Sequence, residues 1–189
     1  MYDIEKIKQK VKELVNNERY NHCLLTGEAA IELAKQYNYD TSIAYIVGIS
    51  HDIAKDFDDA KNRYWVDKYQ LPKDLLSKDY RKMIHADIGA LVCKEWFNYT
   101  DEMCNAIKYH TIPNEDMSLL DKIIFIADKI GRNDIPEELK DLKEVAFKNI
   151  DAAIVLFLEK QQLMLKRQGK DLFPKTIKLL ELLKKNTSN

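Results

Sequence analysis

The sequence predicts an all-α fold, a single bundle of about eight to ten helices, and three observations favour it. Glycine and proline are scarce, with five and four residues among 189, whereas turn-rich β-sandwiches need many of both. Apolar residues recur at helical spacing along almost the whole chain. No segment shows the alternation of apolar and polar residues that is typical of a half-buried strand.

The first third of the chain predicts three helices. Asp3 can cap the first, whose apolar positions are Ile4, Ile7, Val11 and Leu14. The second helix extends to about Tyr37. The third covers residues 42–52, with Asp40 or Thr41 as its cap, and is apolar nearly all round. A helix without a polar face is expected to be central and buried.

Helical patterns continue to the end of the chain. Ser118 and Asp121 form an S-x-x-D capping box ahead of the apolar run IIFIADKI. Pro136 suits the first turn of the helix after that. The other predicted helices cover residues 60–69, 73–76, 84–97, 101–109, 150–166 and 174–185.

Composition excludes several classes of protein. The net charge of −1 provides no strong field for nucleic acid polymers or anionic lipid. Cys23, Cys93 and Cys104 are far apart, which favours buried free thiols over a disulfide framework or zinc finger. No run approaches the ~20 apolar residues of a membrane span, and the N-terminal segment has no apolar signal region. We therefore expect a cytoplasmic protein.

The strongest chemical signal is His51-Asp52, at the end of the apolar third helix. Adjacent helical residues point about 100° apart, but imidazole nitrogen and carboxylate oxygen can both reach a cation between helices. A charge at the end of a buried helix is costly unless it is paired or coordinated. The alternative is a surface pair between Asp52 and Lys55, with His51 as a satisfied polar residue.

Three more histidines and one aspartate complete a pattern of the form H…HD…H…H…D. His22, His85 and His110 lie on or beside predicted helices, and Asp128 interrupts the run IIFIADKI. Each alone has an ordinary interpretation, such as a half-buried polar residue or a helix-terminal histidine beside the helix dipole. Their combined order favours a metal site.

The pattern resembles that of the HD-domain phosphohydrolase superfamily, and within it the YqeK-like family of symmetrical bis(5′-nucleosyl)-tetraphosphatases. The resemblance covers residues 19–176. The motifs that carry it are R-Y-N-H at 19–22, S-H-D-I-A-K at 50–55, H-A-D-I-G-A at 85–90, Y-H-T at 109–111, M-S-L-L-D-K-I-I-F-I-A-D at 117–128 and P-K-T at 174–176.

This resemblance implies one HD domain over residues 1–189, with a metal-binding core of residues 19–132 and C-terminal helices at 136–185 packing on it. It implies a dinuclear iron site, with manganese, cobalt or other ions as alternatives. The ligands of one metal would be His22, His51, Asp52 and Asp128. Asp52 would bridge to a second metal held by His85 and His110.

The implied reaction is cleavage of diadenosine tetraphosphate to two ADP by a metal-bridging hydroxide. Arg19 and Lys55 stand beside ligand residues and would bind phosphate and assist catalysis with Asp52. Arg132 would be a third phosphate-binding residue. The alternative for all three cations is a solvated surface charge.

Two segments depart from the family pattern. H-T-T-G is replaced by His110-Thr111-Ile112-Pro113, and I-E-P-x-R by Ile130-Gly131-Arg132-Asn133. The metal ligands are intact, so the departures affect the expected details of substrate binding.

Other functions remain open at this point. One is an HD hydrolase of a nucleoside monophosphate, a dNTP, a cyclic nucleotide or (p)ppGpp. Others are a non-catalytic module that senses nucleotides or metal, and a purely structural helical domain. The amphipathic terminal helices can cover either the domain's own core or a dimer interface, and we expect a homodimer. The aromatics considered for base stacking fit core or groove packing better: Tyr20, Tyr64, Trp65, Tyr69, Trp96, Phe97 and Tyr99.

Overall fold

The fold is built from helices alone over the part of the chain that the structure, a computed structural model, describes: residues 2–78 and 80–187. Two 3₁₀ segments lie at Lys73–Leu76 and Glu137–Leu139. The α-helices of these residues are α1 (Ile4–Leu14), α2 (Asn17–Gln36), α3 (Thr41–Ser50), α4 (Asp59–Lys68), α5 (Ile84–Phe97), α6 (Asp101–Lys108), α7 (Leu119–Ile130), α8 (Leu142–Lys148), α9 (Ile150–Arg167) and α10 (Pro174–Thr187). The predicted all-α class is confirmed.

Side-chain caps begin the helices where the sequence predicts them. Asp3 accepts a hydrogen bond from the Lys6 amide at the start of α1. Asp40, rather than Thr41, accepts from the first amides of α3. At α7 the capping box is complete, because Ser118 and Asp121 each accept from the other's amide. These bonds satisfy amides that have no partner within the helix.

Helix α3 lies at the centre of the bundle, as its apolar sequence predicts. It contacts α1, α2, α6 and α7. At the contact with α2, Gly27 and Gly48 face each other, and a Cβ built on Gly48 would lie 2.8 Å from the Gly27 Cα. Glycine at both positions therefore allows the two backbones to approach closely.

The C-terminal helices extend the bundle from α7. Helix α9 contacts α7, α8 and α10, and α8 also contacts α2 and α7. The division into a core of residues 19–132 and an attached C-terminal part stays a prediction.

Two boundaries differ from the sequence predictions. The third helix ends at Ser50 rather than Asp52, because the chain changes there to turns in which Ile53 and Lys55 donate to residues three positions earlier. Pro136 does not enter an α-helix, since its ψ of 145° is extended and only a 3₁₀ turn follows. The helix predicted to begin at Pro136 begins instead at Leu142, as α8.

Two expectations from composition can be compared with the structure. Cys23, Cys93 and Cys104 are free and buried, as predicted, and burial raises the pKa of each thiol. None of the described helices combines the length and apolarity that crossing a bilayer requires.

The glycine contact between α2 and α3 gives a stability prediction. Gly48→Ala is expected to lower the free energy of unfolding by about 1–3 kcal/mol, because the new methyl group meets backbone atoms of α2 that cannot move aside. Gly89→Ala is the matched control, since its Cβ would meet no atom closer than 3.5 Å. Urea denaturation measures both, and an equal midpoint for the two variants would contradict the prediction.

Candidate metal centre

The fold brings all six predicted ligands together at one end of α3. His22 lies in α2, His51 and Asp52 follow α3, and His85 lies in the first turn of α5. His110 follows α6 and Asp128 lies in the last third of α7. Five separate parts of the chain thus supply side chains to one cluster. His51, Asp52, His85 and His110 are each at most 3% exposed.

Three of the imidazoles are oriented by backbone carbonyls. The Nδ1 atoms of His22, His51 and His110 lie 3.2, 2.7 and 2.6 Å from the carbonyl oxygens of Gly131, Gly48 and Ile107. A carbonyl can only accept, so each Nδ1 carries the donated proton. The Nε2 atoms that face the cluster are then free to act as metal ligands in the neutral ring.

The cluster has two halves, one formed by His85 and His110 and the other by His22, His51 and Asp128. Asp52 contacts both of them. Its Oδ1 lies 3.0 Å from His85 Nε2 and 3.4 Å from His110 Nε2. Its Oδ2 lies 3.5 Å from His51 Nε2. On a continuing helix His51 and Asp52 would diverge, but the turns after Ser50 bring the two side chains together.

Within its half of the cluster, Asp128 contacts both histidines. Its Oδ1 lies 2.9 Å from His22 Nε2 and 3.6 Å from His51 Nε2. Two sets of ligand atoms are close enough to share an ion, and His51 belongs to both. The sets are His22, His51 and Asp128, and His51, Asp52 and His110.

The donor set fits a transition-metal ion. Within the described residues, His51 Nε2 and Asp52 Oδ1 are buried without a hydrogen bond of adequate geometry. Buried polar atoms are rarely left in this state, and a cation between them would satisfy both. Imidazole and carboxylate ligands without thiolate suit iron, manganese and similar ions.

The carboxylates of Asp52 and Asp128 favour a positive charge beside them. Burial opposes ionisation of Asp52 and Asp128, yet the neighbouring His51 and Lys129 respectively hold the pKa of each well below its usual range. Burial likewise opposes a charged His51, but the two carboxylates outweigh it and raise its pKa to about 10. Burial lowers the pKa of His110 to about 4.

The three predicted phosphate-binding residues occupy different positions. Arg19 donates to Asp52 Oδ2 at 2.8 Å and is one-third exposed. Lys55 donates to His85 Nε2 at 3.1 Å, and burial lowers its pKa. Arg132 does not contact the cluster but lies near Asp134, with its Nε 3.6 Å from the carboxylate.

Clefts open on two sides of the cluster. A cleft of about 320 Å³ is lined by Arg19, His22 and Arg132. Another, of about 490 Å³, is lined by Lys55 and His85 together with Arg81 and Lys82. Each cleft therefore joins ligand residues to cationic side chains.

A third cleft, of about 340 Å³, is mostly apolar and reaches Thr111, the residue after His110. Its walls include Tyr80, Tyr109 and Phe173, and the rings of Tyr80 and Phe173 are 5.4 Å apart. None of the aromatics considered from the sequence lines this cleft. The P-K-T motif, which directly follows Phe173, is the sequence signal that could have indicated this cleft.

Sequence reasoning also missed Lys129 and Gly131. Lys129 contacts Asp128 directly, although a lysine in a helix is usually exposed and gives no signal. Gly131 packs against α2, where a Cβ would lie 2.7 Å from the Thr26 Cα. The departure at Ile130-Gly131 thus leaves a carbonyl in place for His22.

Comparison with known proteins places this centre in a family. The family model described as HD domain matches residues 19–133. The chain belongs to the HD domain family. The matched residues contain all six members of the cluster, and the resemblance inferred from the sequence motifs is confirmed.

Relatives in this HD domain family match nearly the whole chain. The chain is 34% identical to a symmetrical bis(5′-nucleosyl)-tetraphosphatase of Staphylococcus aureus, over 94% of this chain and 93% of the relative. It is 32% identical to a protein of the same name from Halalkalibacterium halodurans, over 89% and 90% of the two chains. The crystal structure of a predicted HD superfamily hydrolase involved in NAD metabolism, from Clostridium acetobutylicum, has a TM-score of 0.89 at 27% identity, covering 98% of this chain and 99% of the other.

Metal binding to the cluster should stabilise the fold. Mn²⁺ at about 100 times its Kd is expected to add about 2.7 kcal/mol, because only the folded chain assembles the ligands. For a chain of this length that raises Tm by roughly 5–10 °C. Thermal melts with and without Mn²⁺ measure the shift.

His51→Ala should greatly reduce this shift, since His51 belongs to both sets of ligand atoms. Asp101→Asn is the control, because Asp101 is exposed and pairs with Lys94 away from the cluster. A shift of the same size in His51→Ala as in the wild-type protein would contradict the assignment.

Proposed function

We propose that the protein is a metal-dependent hydrolase that cleaves diadenosine tetraphosphate symmetrically to two ADP. The observation that carries the proposal is the position of Asp52, whose Oδ1 faces His85 and His110 and whose Oδ2 faces His51. Similarity to relatives named symmetrical bis(5′-nucleosyl)-tetraphosphatase over most of the chain supports the choice of substrate.

The ligands are proposed to divide as the resemblance implies. His22, His51, Asp52 and Asp128 would hold one ion, and Asp52, His85 and His110 a second. Iron is the favoured metal, with manganese and cobalt as alternatives. Two divalent ions would supply an activated water and positive charge for the phosphoryl oxygens.

The clefts suit a long anionic substrate with two equal arms. Cleavage into two identical products requires that two phosphates lie on each side of the attacked bond. The Arg19 cleft and the Lys55 cleft open beside His22 and His85 respectively, so one arm can extend into each. The apolar cleft beside Thr111 would receive an adenosine, with Tyr80 and Phe173 packing on the base.

The residues of the chain would act chiefly by holding charge in place. Arg19 keeps Asp52 oriented through Oδ2, and its exposed edge can donate to a phosphoryl oxygen at the same time. Lys55 donates a hydrogen bond to His85 Nε2. If that nitrogen bound a metal instead, the Lys55 ammonium would be able to donate to a phosphoryl oxygen of the substrate. The guanidinium of Arg19 and the ammonium of Lys55 would then stabilise the negative charge that develops on the phosphoryl oxygens as the phosphoanhydride bond breaks.

The nucleotide substrate is the proposed partner, and a homodimer stays a prediction. We propose no nucleic acid polymer as a substrate, because the cationic side chains lie in local clefts on a chain with a net charge of −1.

The substrate proposal predicts a defined product pattern. With Mn²⁺, Fe²⁺ or Co²⁺ the purified protein should convert diadenosine tetraphosphate to ADP alone, at about two metal ions per chain. Chromatography of the nucleotides and elemental analysis of the protein measure the two quantities. Asp52→Ala should lose both metal and activity, since its oxygens face both halves of the cluster.

Particular outcomes would exclude the proposal. Release of AMP and ATP would refute symmetrical cleavage, and full activity of Asp52→Ala would refute the bridging role. Parallel assays with AMP, dATP, a cyclic dinucleotide and ppGpp test the other HD substrates. Tight nucleotide binding without turnover in the metal-loaded protein would indicate a sensing module instead.

The two arginines of the first cleft should differ in kinetic effect. Arg19→Met is expected to lower kcat by about 10²–10³, because it removes a donor directed at the reacting phosphate. Arg132→Met should mainly raise KM, since Arg132 lines the same cleft but pairs with Asp134 rather than with a ligand residue. Steady-state kinetics with metal content checked would measure both, and equal losses of kcat would contradict the distinction.

A further inference from the structure

Lys129 is a largely inaccessible cation in contact with the candidate metal centre. It follows Asp128 in α7, and its side chain is only 14% exposed. The ammonium contacts Asp128 Oδ2 and also donates to the backbone carbonyl of His110 at 3.3 Å. Lys129 therefore touches one residue from each half of the cluster.

The contact divides the two oxygens of Asp128 between different tasks. Oδ1 faces His22 Nε2 and His51 Nε2, whereas Oδ2 is held by Lys129. A free carboxylate could rotate or bind an ion through both oxygens. With Oδ2 bound to an ammonium, only Oδ1 is available to the centre.

Two aromatic rings flank the ammonium group of Lys129. Its Nζ lies 4.9 Å from the ring centroid of Phe125 in α7 and 5.4 Å from that of Phe157 in α9. The two rings pack edge to face, with centroids 5.6 Å apart. Residues 19–133 match the HD domain, so Phe157 brings a contribution from outside the matched segment.

We propose that Lys129 is a positioning residue that fixes Asp128 as a ligand through Oδ1 alone. Phe125 and Phe157 hold the ammonium in place, so that α9 supports the geometry of the centre without supplying a ligand. This inference rests on the proposed role of Asp128 as a metal ligand. Neighbours of this kind typically affect metal affinity by about 10–100-fold when removed.

Lys129→Met tests the proposal, because methionine keeps an unbranched stem against the two rings and removes the charge. Titration of the metal-free protein with Co²⁺, followed by visible absorption, reports both affinity and ligand geometry. We expect about 10–100-fold weaker binding and a changed absorption band. Activity is not needed for this measurement.

Lys122→Met is the matched control on the same helix. Lys122 also links α7 to α9, through an ion pair of 2.7 Å with Asp151, and its side chain is 22% exposed. This variant should lose some stability yet keep the wild-type Co²⁺ affinity and spectrum. An equal change in both variants would show that loss of α9 packing, rather than Asp128 geometry, is responsible, and would overturn the proposal.

Phe157→Leu provides a second test that leaves the lysine in place. It should weaken Co²⁺ binding in the same direction but less, because the ammonium of Lys129 loses one of its two rings. Wild-type affinity and spectrum in both Lys129→Met and Phe157→Leu would refute the role of Lys129 without contradicting the metal centre itself. Absence of Co²⁺ binding by the wild-type protein would instead refute the proposed metal centre, and the role of Lys129 with it.

Discussion

The ionised carboxyl group of Asp52 lies in the interior, only 2% exposed, where an unpaired charge would be strongly destabilising. Its compensation comes from the adjacent His51 and from Arg19, His85 and His110, which are distant in sequence. The helices that carry these residues must therefore converge on the end of α3. The close approach of α2 and α3 at Gly48 brings Arg19 and His22 within reach of that point.

Much of this arrangement could be predicted from the sequence. Helical periodicity and caps such as Asp3 and Ser118 depend on local interactions, so they can be read without knowledge of the fold. The cluster was predictable because its residue types are costly to bury without a purpose. His51 and Asp128, in particular, interrupt or end apolar runs in which a polar residue needs an explanation.

What the sequence did not indicate depends on contacts between distant segments. The end of α3 at Ser50 is set by turns that aim His51 and Asp52 at the same point, and periodicity alone would continue the helix. The apolar cleft is formed by residues that include Tyr80 and Phe173, which are separated by about half of the chain. Lys129 has no distinguishing pattern, because its burial depends on Phe157 in another helix.

The backbone carbonyls that orient three of the imidazoles have a consequence for divergence within the family. Main-chain acceptors at Gly48, Ile107 and Gly131 persist whatever side chain stands nearby, provided that the backbone keeps its path. Mutations in the surrounding rim can thus accumulate without changing the orientation of the three imidazoles. Substrate preference and metal chemistry can then evolve separately, with the rim free to change while the ligand frame is inherited intact.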